Sequence, residues 1–393
     1  MSLLFIAEII VALALIAALA WSASQNNWRD ARLGNYIGFA IAGGTVLFVV
    51  YYYFKTKYAP TDPNLPEGNF FRWALQGLVI FGIAGTVFKE LGKRIGTEGT
   101  KKAFRTMPVT ASFGILVILI YATVAIFAGV IAPYGEGEIF ARANLYPGGD
   151  PATNGDPAHI LGTDQIGRDI LTRVIYGARN TVGIAFLTTC LAFFLGATGG
   201  FLAATLGGWT DTVLSRIVDA LMAIPQLIFA LLLMTIATAW AGGDRALITI
   251  YMIIIIAVLD STRVFRLSRA VGQNIVVMDY IEAAKLRGET LSYLIFREIL
   301  PNATAPLLAE FGLRFCFVFL TIAALSFLGI GIQPPSADWG TMVRDLSQFI
   351  NFAQFLPLAA TLPLIPAGAI ALLTVGVNFV VDWQLHRSSG LKE

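Results

Sequence analysis

The sequence predicts an all-α, polytopic membrane protein, and three observations carry that prediction. Of its 393 residues 56% are hydrophobic and only 13% charged. Apolar runs of about 20 residues, the length a helix needs to cross a hydrocarbon core, recur along the chain. The Lys and Arg residues gather in a few connectors, as the positive-inside rule expects of a multi-spanning chain. The net charge of +2 says little about partners; the placement of the cations is what orients the chain. Cys190 and Cys316 both fall in apolar runs and read as buried thiols, with no disulfide framework or metal-ligand spacing. His159 and His386 are far apart and on opposite sides of the expected topology, which argues against a histidine metal or catalytic cluster.

Residues Leu3 to Trp21 are apolar except for Glu8 and lack the basic start of a secretory signal, so they read as a membrane helix. A connector with Arg29, Asp30 and Arg32 leads to a second run, Tyr36 to Phe54, closed by an aromatic belt at Tyr51-Tyr52-Tyr53. Lys55 to Gly68 is a loop rich in Pro and Asp. Phe71 to Phe88 holds about 17 apolar or small residues, the lower limit for a span and a fit to an interfacial helix too; a span is the reading adopted. Lys89 to Arg105 then carries Lys89, Lys93, Arg94, Lys101, Lys102 and Arg105 against Glu90 and Glu98, and is expected on the cytoplasmic side. It reads as a solvated basic face at the membrane, not as a nucleic-acid site.

Val109 to Ala132 is expected to cross outward, stopping at Pro133-Tyr134-Gly135. The connector to about Tyr176 is rich in Gly, Pro, Asp and Asn, with only Arg142, Arg168 and Arg173 as cations, and belongs outside. Ala178 to Leu206 returns inward, Asp211 to Trp240 goes outward as one span, and Leu247 to Leu259 returns. Arg263, Arg266, Arg269, Lys285, Arg287 and Arg297 then fall on the side of the earlier basic connector. Ala305 to Ile332 exits, Gln333 to Phe355 is an outer connector with Arg344 as its cation, and Leu356 to Val381 returns. Six spans follow from Val109, with up to three before it. Gly196, Gly199, Gly200, Pro225, Pro306, Pro363 and Pro366 permit close helix approach and kinks.

The densest charge lies between Asp279 and Asn302, where Asp279, Glu282, Lys285, Arg287, Glu289, Arg297 and Glu298 separate two long apolar runs. This segment must lie in water. A short helix ending near Gly288, a turn, and a second amphipathic helix stopped at Leu300-Pro301 are expected, since Gly accepts a left-handed position and Pro disfavours continuation. The product is a stiff elbow.

Within the spans the polar residues are Asn180, Thr181, Thr188, Thr189, Ser215, Asp219, Gln226, Thr235, Asp260 and Asn378. Arg216, Asp219 and Asp260 are placed near cytoplasmic ends, with Arg263 at hand, as a gate or ion pairs. Outside, Asp164, Arg168 and Asp169 offer a local ion network at the entrance of the next span, and Trp339 is expected to anchor at the interface after the Pro334-Pro335 turn. No phosphate loop, nucleophile elbow, zinc spacing or dinucleotide fingerprint occurs, so no catalytic or metal residue is assigned.

Glu282-Ala283-Ala284, Gly288 and Leu300-Pro301 resemble the coupling loop of binding-protein-dependent ABC importer permeases. Leu161-Gly162-Thr163-Asp164-Gln165-Ile166-Gly167-Arg168-Asp169, Tyr176-Gly177-Ala178-Arg179, Leu325-Ser326-Phe327-Leu328-Gly329-Ile330-Gly331-Ile332-Gln333-Pro334-Pro335 and Asp338-Trp339-Gly340 sharpen the likeness. Together they resemble the second permease subunit of the dipeptide/oligopeptide/nickel importers, over about Thr106 to Trp383. The resemblance implies an ABC type I importer transmembrane domain over residues 106–393 with its coupling loop at 261–304. Residues 1–105 form an additional membrane region of two to three helices. It further implies an inner-membrane protein with a homologous second permease, two ATP-binding subunits that hold ATP and Mg, and an extracytoplasmic substrate-binding protein as partners. Asp279, Tyr280, Glu282, Ala283, Ala284, Gly288, Leu300 and Pro301 would meet the ATPase. Asp164, Arg168, Asp169 and Trp339 would either meet the binding protein or shape the outer loop. A gradient-driven secondary transporter, disfavoured by the lack of a mid-span carboxylate cluster and of inverted repeats, and a non-transporting scaffold are the alternatives.

Overall fold

The computed structural model describes residues 83–149, 151, 154–352 and 359–388, which fall into two compact units, one ending at Phe113 and one running from Gly114 to Ser388. The two helices expected between Leu3 and Phe54 lie outside the described residues, and the expected span at Phe71–Phe88 is described only from residue 83.

In the first unit residues 83–94 are helical and α1 spans Glu98–Thr106, with the Thr97 hydroxyl accepting the Thr100 N–H at its start. Phe88 meets Phe104 edge-on at 5.4 Å, and the Ser112 hydroxyl donates to the Gly85 carbonyl at 3.2 Å. The next helix, α2 (Val109–Ile131), leads into the second unit.

That second unit is built of α3 (Ile170–Leu206), α4 (Gly208–Met222), α5 (Gln226–Trp240), α6 (Arg245–Val276), α7 (Asp279–Leu286), α8 (Leu291–Phe327), α9 (Trp339–Leu346) and α10 (Leu364–Ser388). Five of the described helices are long and apolar enough to cross a membrane, six if α4 and α5 count as one broken span.

Three expectations are corrected. The helix expected from Ala178 begins at Ile170, because the Asp169 carboxylate accepts the Thr172 N–H at 2.7 Å and starts it earlier. The single span expected over Asp211–Trp240 is two helices meeting at 88°. Pro225, with ψ 122°, has no N–H to continue α4 and opens α5 instead. Pro301 does not stop the second elbow helix: α8 runs through it and through Pro306. Its Leu294–Ile299 segment is a π-turn, with the Leu300 N–H reaching back to the Ile295 carbonyl. The wider ring leaves the proline at the first positions of a fresh α-segment, where a missing N–H costs little. The last candidate span is Ala359–His386, its α-helix starting at Leu364 directly after Pro363, and the expected start at Leu356 lies outside the described residues.

The helices converge on a core of Met234 from α5, Met252 and Ile256 from α6, and Phe319 and Ile322 from α8, all fully buried. The most extensive packing is between α3 and α6. A Cβ on Gly196 would stand 2.5 Å from the Ser261 carbonyl oxygen, and one on Gly200 would stand 2.6 Å from that of Phe265. Only hydrogen fits there, and the two backbones lie in direct contact. Gly200→Val should therefore lower stability by about 1–3 kcal/mol through overpacking. Gly183→Ala, on the exposed side of α3 with nothing within 4 Å, should be neutral or stabilising by up to about 1 kcal/mol; paired thermal-unfolding curves of the detergent-solubilised protein separate the two.

Candidate functional site: elbow, midplane layer and cap

At one end of the second unit α6, α7 and α8 form the elbow. Ile281 and Ala284 are fully buried on one face of α7, against Phe201 of α3, Ile275 of α6, and Ile295 and Ile299 of α8. The opposite face carries Asp279, Tyr280, Glu282, Ala283, Lys285 and Leu286, all exposed, Leu286 at 83%. Asp279 and Glu282 sit in the first turn, where carboxylates suit the positive end of the helix dipole. The exit is a Schellman turn: the Gly288 N–H bonds the Lys285 carbonyl at 2.9 Å and the Glu289 N–H bonds the Ala284 carbonyl at 3.2 Å. Gly288 takes φ +80°, the left-handed position that the sequence assigned it. Ala283 and Ala284 part company, the first facing out and the second serving as root. Leu300 is half-buried and Pro301 exposed, both within α8.

Higher up, Asp219 pairs with Arg266 at 2.6 Å and Asp211 with Arg269 at 2.6 Å, closing α4 onto α6. Asp219, Arg266 and Arg269 line one cleft with Ser215 and Phe265. Arg216 is exposed and makes no ion pair among the described residues.

Asp260 differs from expectation. It lies deep in the unit, fully buried, and its nearest cation is Arg314 of α8, with Nη1 3.7 Å from Oδ1, not Arg263. The Gln226 side chain faces the same carboxylate from the start of α5. At 1.5 Å per residue, Gln226, Asp260 and Arg314 all lie about 20 Å from the Trp240, Arg245 and Phe327 ends of their helices. They form one polar layer at the depth where α4 breaks into α5. Glu310 joins it, its Oε1 2.7 Å from Arg314 Nε. The alignment is poor: both Asp260 oxygens and Arg314 Nε and Nη1 are buried without a hydrogen-bond partner. Arg314 and Arg263 hold their guanidinium carbons 4.6 and 5.8 Å from the centre of one ring, Phe317, which is 48% exposed. Sequence reading passed over Glu310 and Arg314. Their signal was an acid and a base four residues apart on one helix face inside an apolar run.

The opposite end is a cap formed where the 132–169 connector meets α9. Asp164 accepts from Arg168 Nε at 2.7 Å and from the N–H groups of Ile166 and Arg168. Asp169, besides capping α3, meets His159 Nδ1 at 2.9 Å. All of these side chains are buried and serve the loop itself. Trp339, expected as an interfacial anchor, is instead a core residue, 2% exposed. Its indole N–H donates to the Val174 carbonyl at 2.9 Å, and its ring lies where a Cβ on Gly177 would be, 2.6 Å away. The residue that organises this end is the buried Asp338. It caps α9 by accepting the Thr341 N–H at 2.9 Å and accepts the Thr181 hydroxyl at 2.8 Å. Burial pushes its carboxyl above the usual range, and these donors pull it back. Asn180 completes the joint, donating to Glu136 at 2.7 Å and to the Ala337 carbonyl at 2.8 Å.

A multi-pass helical bundle with a charged elbow at one end and a hydrogen-bonded cap at the other defines a membrane transport component. The chain belongs to the family of binding-protein-dependent transport system inner membrane components, whose model matches residues 196–388. It is 35% identical over 275 residues to the dipeptide transport system permease protein DppC of Haemophilus influenzae, covering 69% of this chain and 87% of the relative. Its identity to DppC of Escherichia coli K12 is 37% over 274 residues, 69% of this chain and 86% of that one. Over 263 residues it is 32% identical to the peptide transport system permease protein SapC of Shigella flexneri, 66% of this chain and 83% of that one. It is a multi-pass protein of the bacterial inner membrane and a permease subunit of an ABC importer.

Asp338→Ala leaves the Thr341 N–H and the Thr181 hydroxyl buried without an acceptor and should cost about 3 kcal/mol. Asp338→Asn, whose amide oxygen still caps α9, should cost about half as much; urea or thermal unfolding followed by tryptophan fluorescence checks the order.

Proposed function

We propose that this permease subunit pairs with a second, homologous permease, with the translocation pathway between them. The elbow end is cytoplasmic and rests on one of two ATP-binding subunits, which hold ATP and Mg. A substrate-binding protein delivers cargo at the cap end. The carrying observation is the two-faced α7: Ile281 and Ala284 fix it to α3, α6 and α8, while Tyr280, Glu282, Ala283 and Leu286 stand outward beside exposed Val277 and Met278. An apolar patch ringed by charge fits a protein groove.

The elbow's position makes it a lever. α7 is rooted between the ends of α6 and α8, so a push on its outer face is transmitted to both helices. Closure of an ATP-bound dimer favours the outward-open pair, and release of hydrolysis products favours the inward-open pair. Small peptides are the cargo best supported, since the relatives are named as dipeptide and peptide permeases. Asp164, Arg168, Asp169 and Trp339, being buried, serve this scheme by shaping the cap. The ion pairs of Asp219 and Asp211 hold α4 against α6 on the gate side.

Glu282→Lys alters an exposed side chain and costs the fold little, yet reverses the charge presented to the ATPase. Gly288→Pro replaces a φ of +80° with one near −65° and misdirects the return of the chain. In proteoliposomes with all subunits, each should reduce cargo-stimulated ATP hydrolysis by at least about tenfold, with the chain still inserted. Normal import by both variants would refute the coupling role.

A further inference from the structure

The polar layer holds two acids, Asp260 and Glu310, and two bases, of which one makes no direct ion pair among the described residues. Asp260 and Glu310 both face Arg314. Arg263 makes no ion pair among the described residues; what it touches is the Phe317 ring, 5.8 Å from its guanidinium carbon. Phe317 lies about 15 Å from the Phe327 end of α8, inside a helix long and apolar enough to cross a membrane, so the Arg263 guanidinium stands beside a membrane span. A guanidinium there is costly against lipid and belongs beside a polar passage or a partner. The half-exposed ring places that passage on the side where Phe317, Arg263 and Arg314 converge.

Resting on the importer reading above, we propose that Arg263, backed by Phe317 and with Arg314 behind it, is a transit site for the free carboxylate of a zwitterionic peptide. Three features support it. The Arg263 guanidinium makes no ion pair among the described residues, Asp260 acting on it only at longer range, and it presents a planar fork suited to a carboxylate. Phe317 offers an apolar face for a peptide side chain and steadies both guanidiniums by cation–π contact. The backing pair is left without full hydrogen bonding, with both Asp260 oxygens and Arg314 Nη1 buried and unpartnered. Arg314 Nη1 thereby keeps a donor to offer an incoming anion, and Glu310, at 22% side-chain exposure, can face the ammonium end of the same cargo. The cargo class is a short peptide with an unblocked C-terminus; its amide lacks the charge that the site recognises.

The test uses the complete importer in proteoliposomes, with its binding protein and ATP, and measures initial uptake of a tripeptide and of its C-terminal amide, chosen so that the wild type imports both. Delivery is common to wild type and variants, so it cancels when their acid-to-amide ratios are compared. Arg263→Gln should lower the ratio by about tenfold, the loss of one charge-assisted contact. Arg263→Lys should recover part of it, and Phe317→Leu should lower it by about threefold. An unchanged ratio in Arg263→Gln overturns the site, as does an equal loss of both cargoes. Wild-type complexes that import no peptide at all while hydrolysing ATP in response to another solute overturn the peptide reading itself, an outcome distinct from either.

Discussion

The contact on which the rest depends is the bare backbone approach of α3 to α6. Gly196 and Gly200 on α3 face the Ser261 and Phe265 carbonyls, and Gly272 on α6 would bring a Cβ within 2.9 Å of Ala204. With no side chains between them the two helices act as one bar. At its elbow end Phe201, next to Gly200, fills the core into which Ile281 of α7 inserts. At its other end Gly177 lets the Trp339 ring lie flush on α3. Cap and elbow are thus joined through a continuous rigid element, and a side chain at any of these glycines would loosen both.

The polar groups at the two depths are treated differently. In the cap, Asp338, Asn180 and Glu136 find donors and acceptors at hydrogen-bonding distance, so that end has one arrangement of low energy. At the midplane Asp260 and Arg314 are equally buried but stand 3.7 Å apart without a hydrogen bond. Leaving such groups unmatched costs about 1–3 kcal/mol each, so this arrangement has little advantage over neighbouring ones. The 88° break between α4 and α5 falls at the same depth. Rigidity and adaptability are segregated along the bundle.

What the sequence disclosed follows the range over which each signal acts. The helical class, the elbow and the left-handed Gly288 are written in local composition and in the φ that glycine alone takes freely, and they were legible. The passage of α8 through Pro301 was not, because a π-turn ending at Ile299, just before it, removes the clash that a proline normally causes, and no residue type marks such a turn. Trp339 looked like an interfacial anchor because its indole partner, the Val174 carbonyl, is remote in sequence and belongs to a backbone with no identity. Arg314 was hidden by averaging: one charged pair in a long apolar helix barely changes a hydropathy window, whereas its i, i+4 spacing to Glu310 names it at once. Asp260 was assigned Arg263, its neighbour in sequence, because Arg314 lies on another helix and 54 residues away.

The two helices that root the elbow are also the two that carry the unmatched pair. Asp260 stands about 27 Å along α6 from Met278, and a tilt of about 5° pivoting there displaces its carboxylate by about 2 Å. That displacement exceeds the difference between the present 3.7 Å separation and a hydrogen bond of about 2.8 Å. A push on the outer face of α7, small at the elbow, is therefore large enough at the midplane to make or break the Asp260–Arg314 contact. Arg314 leans on Phe317, and Phe317 on Arg263, so the same tilt resets the side chains around the exposed ring. The lever and the polar layer are mechanically one device, because no joint interrupts α6 between them.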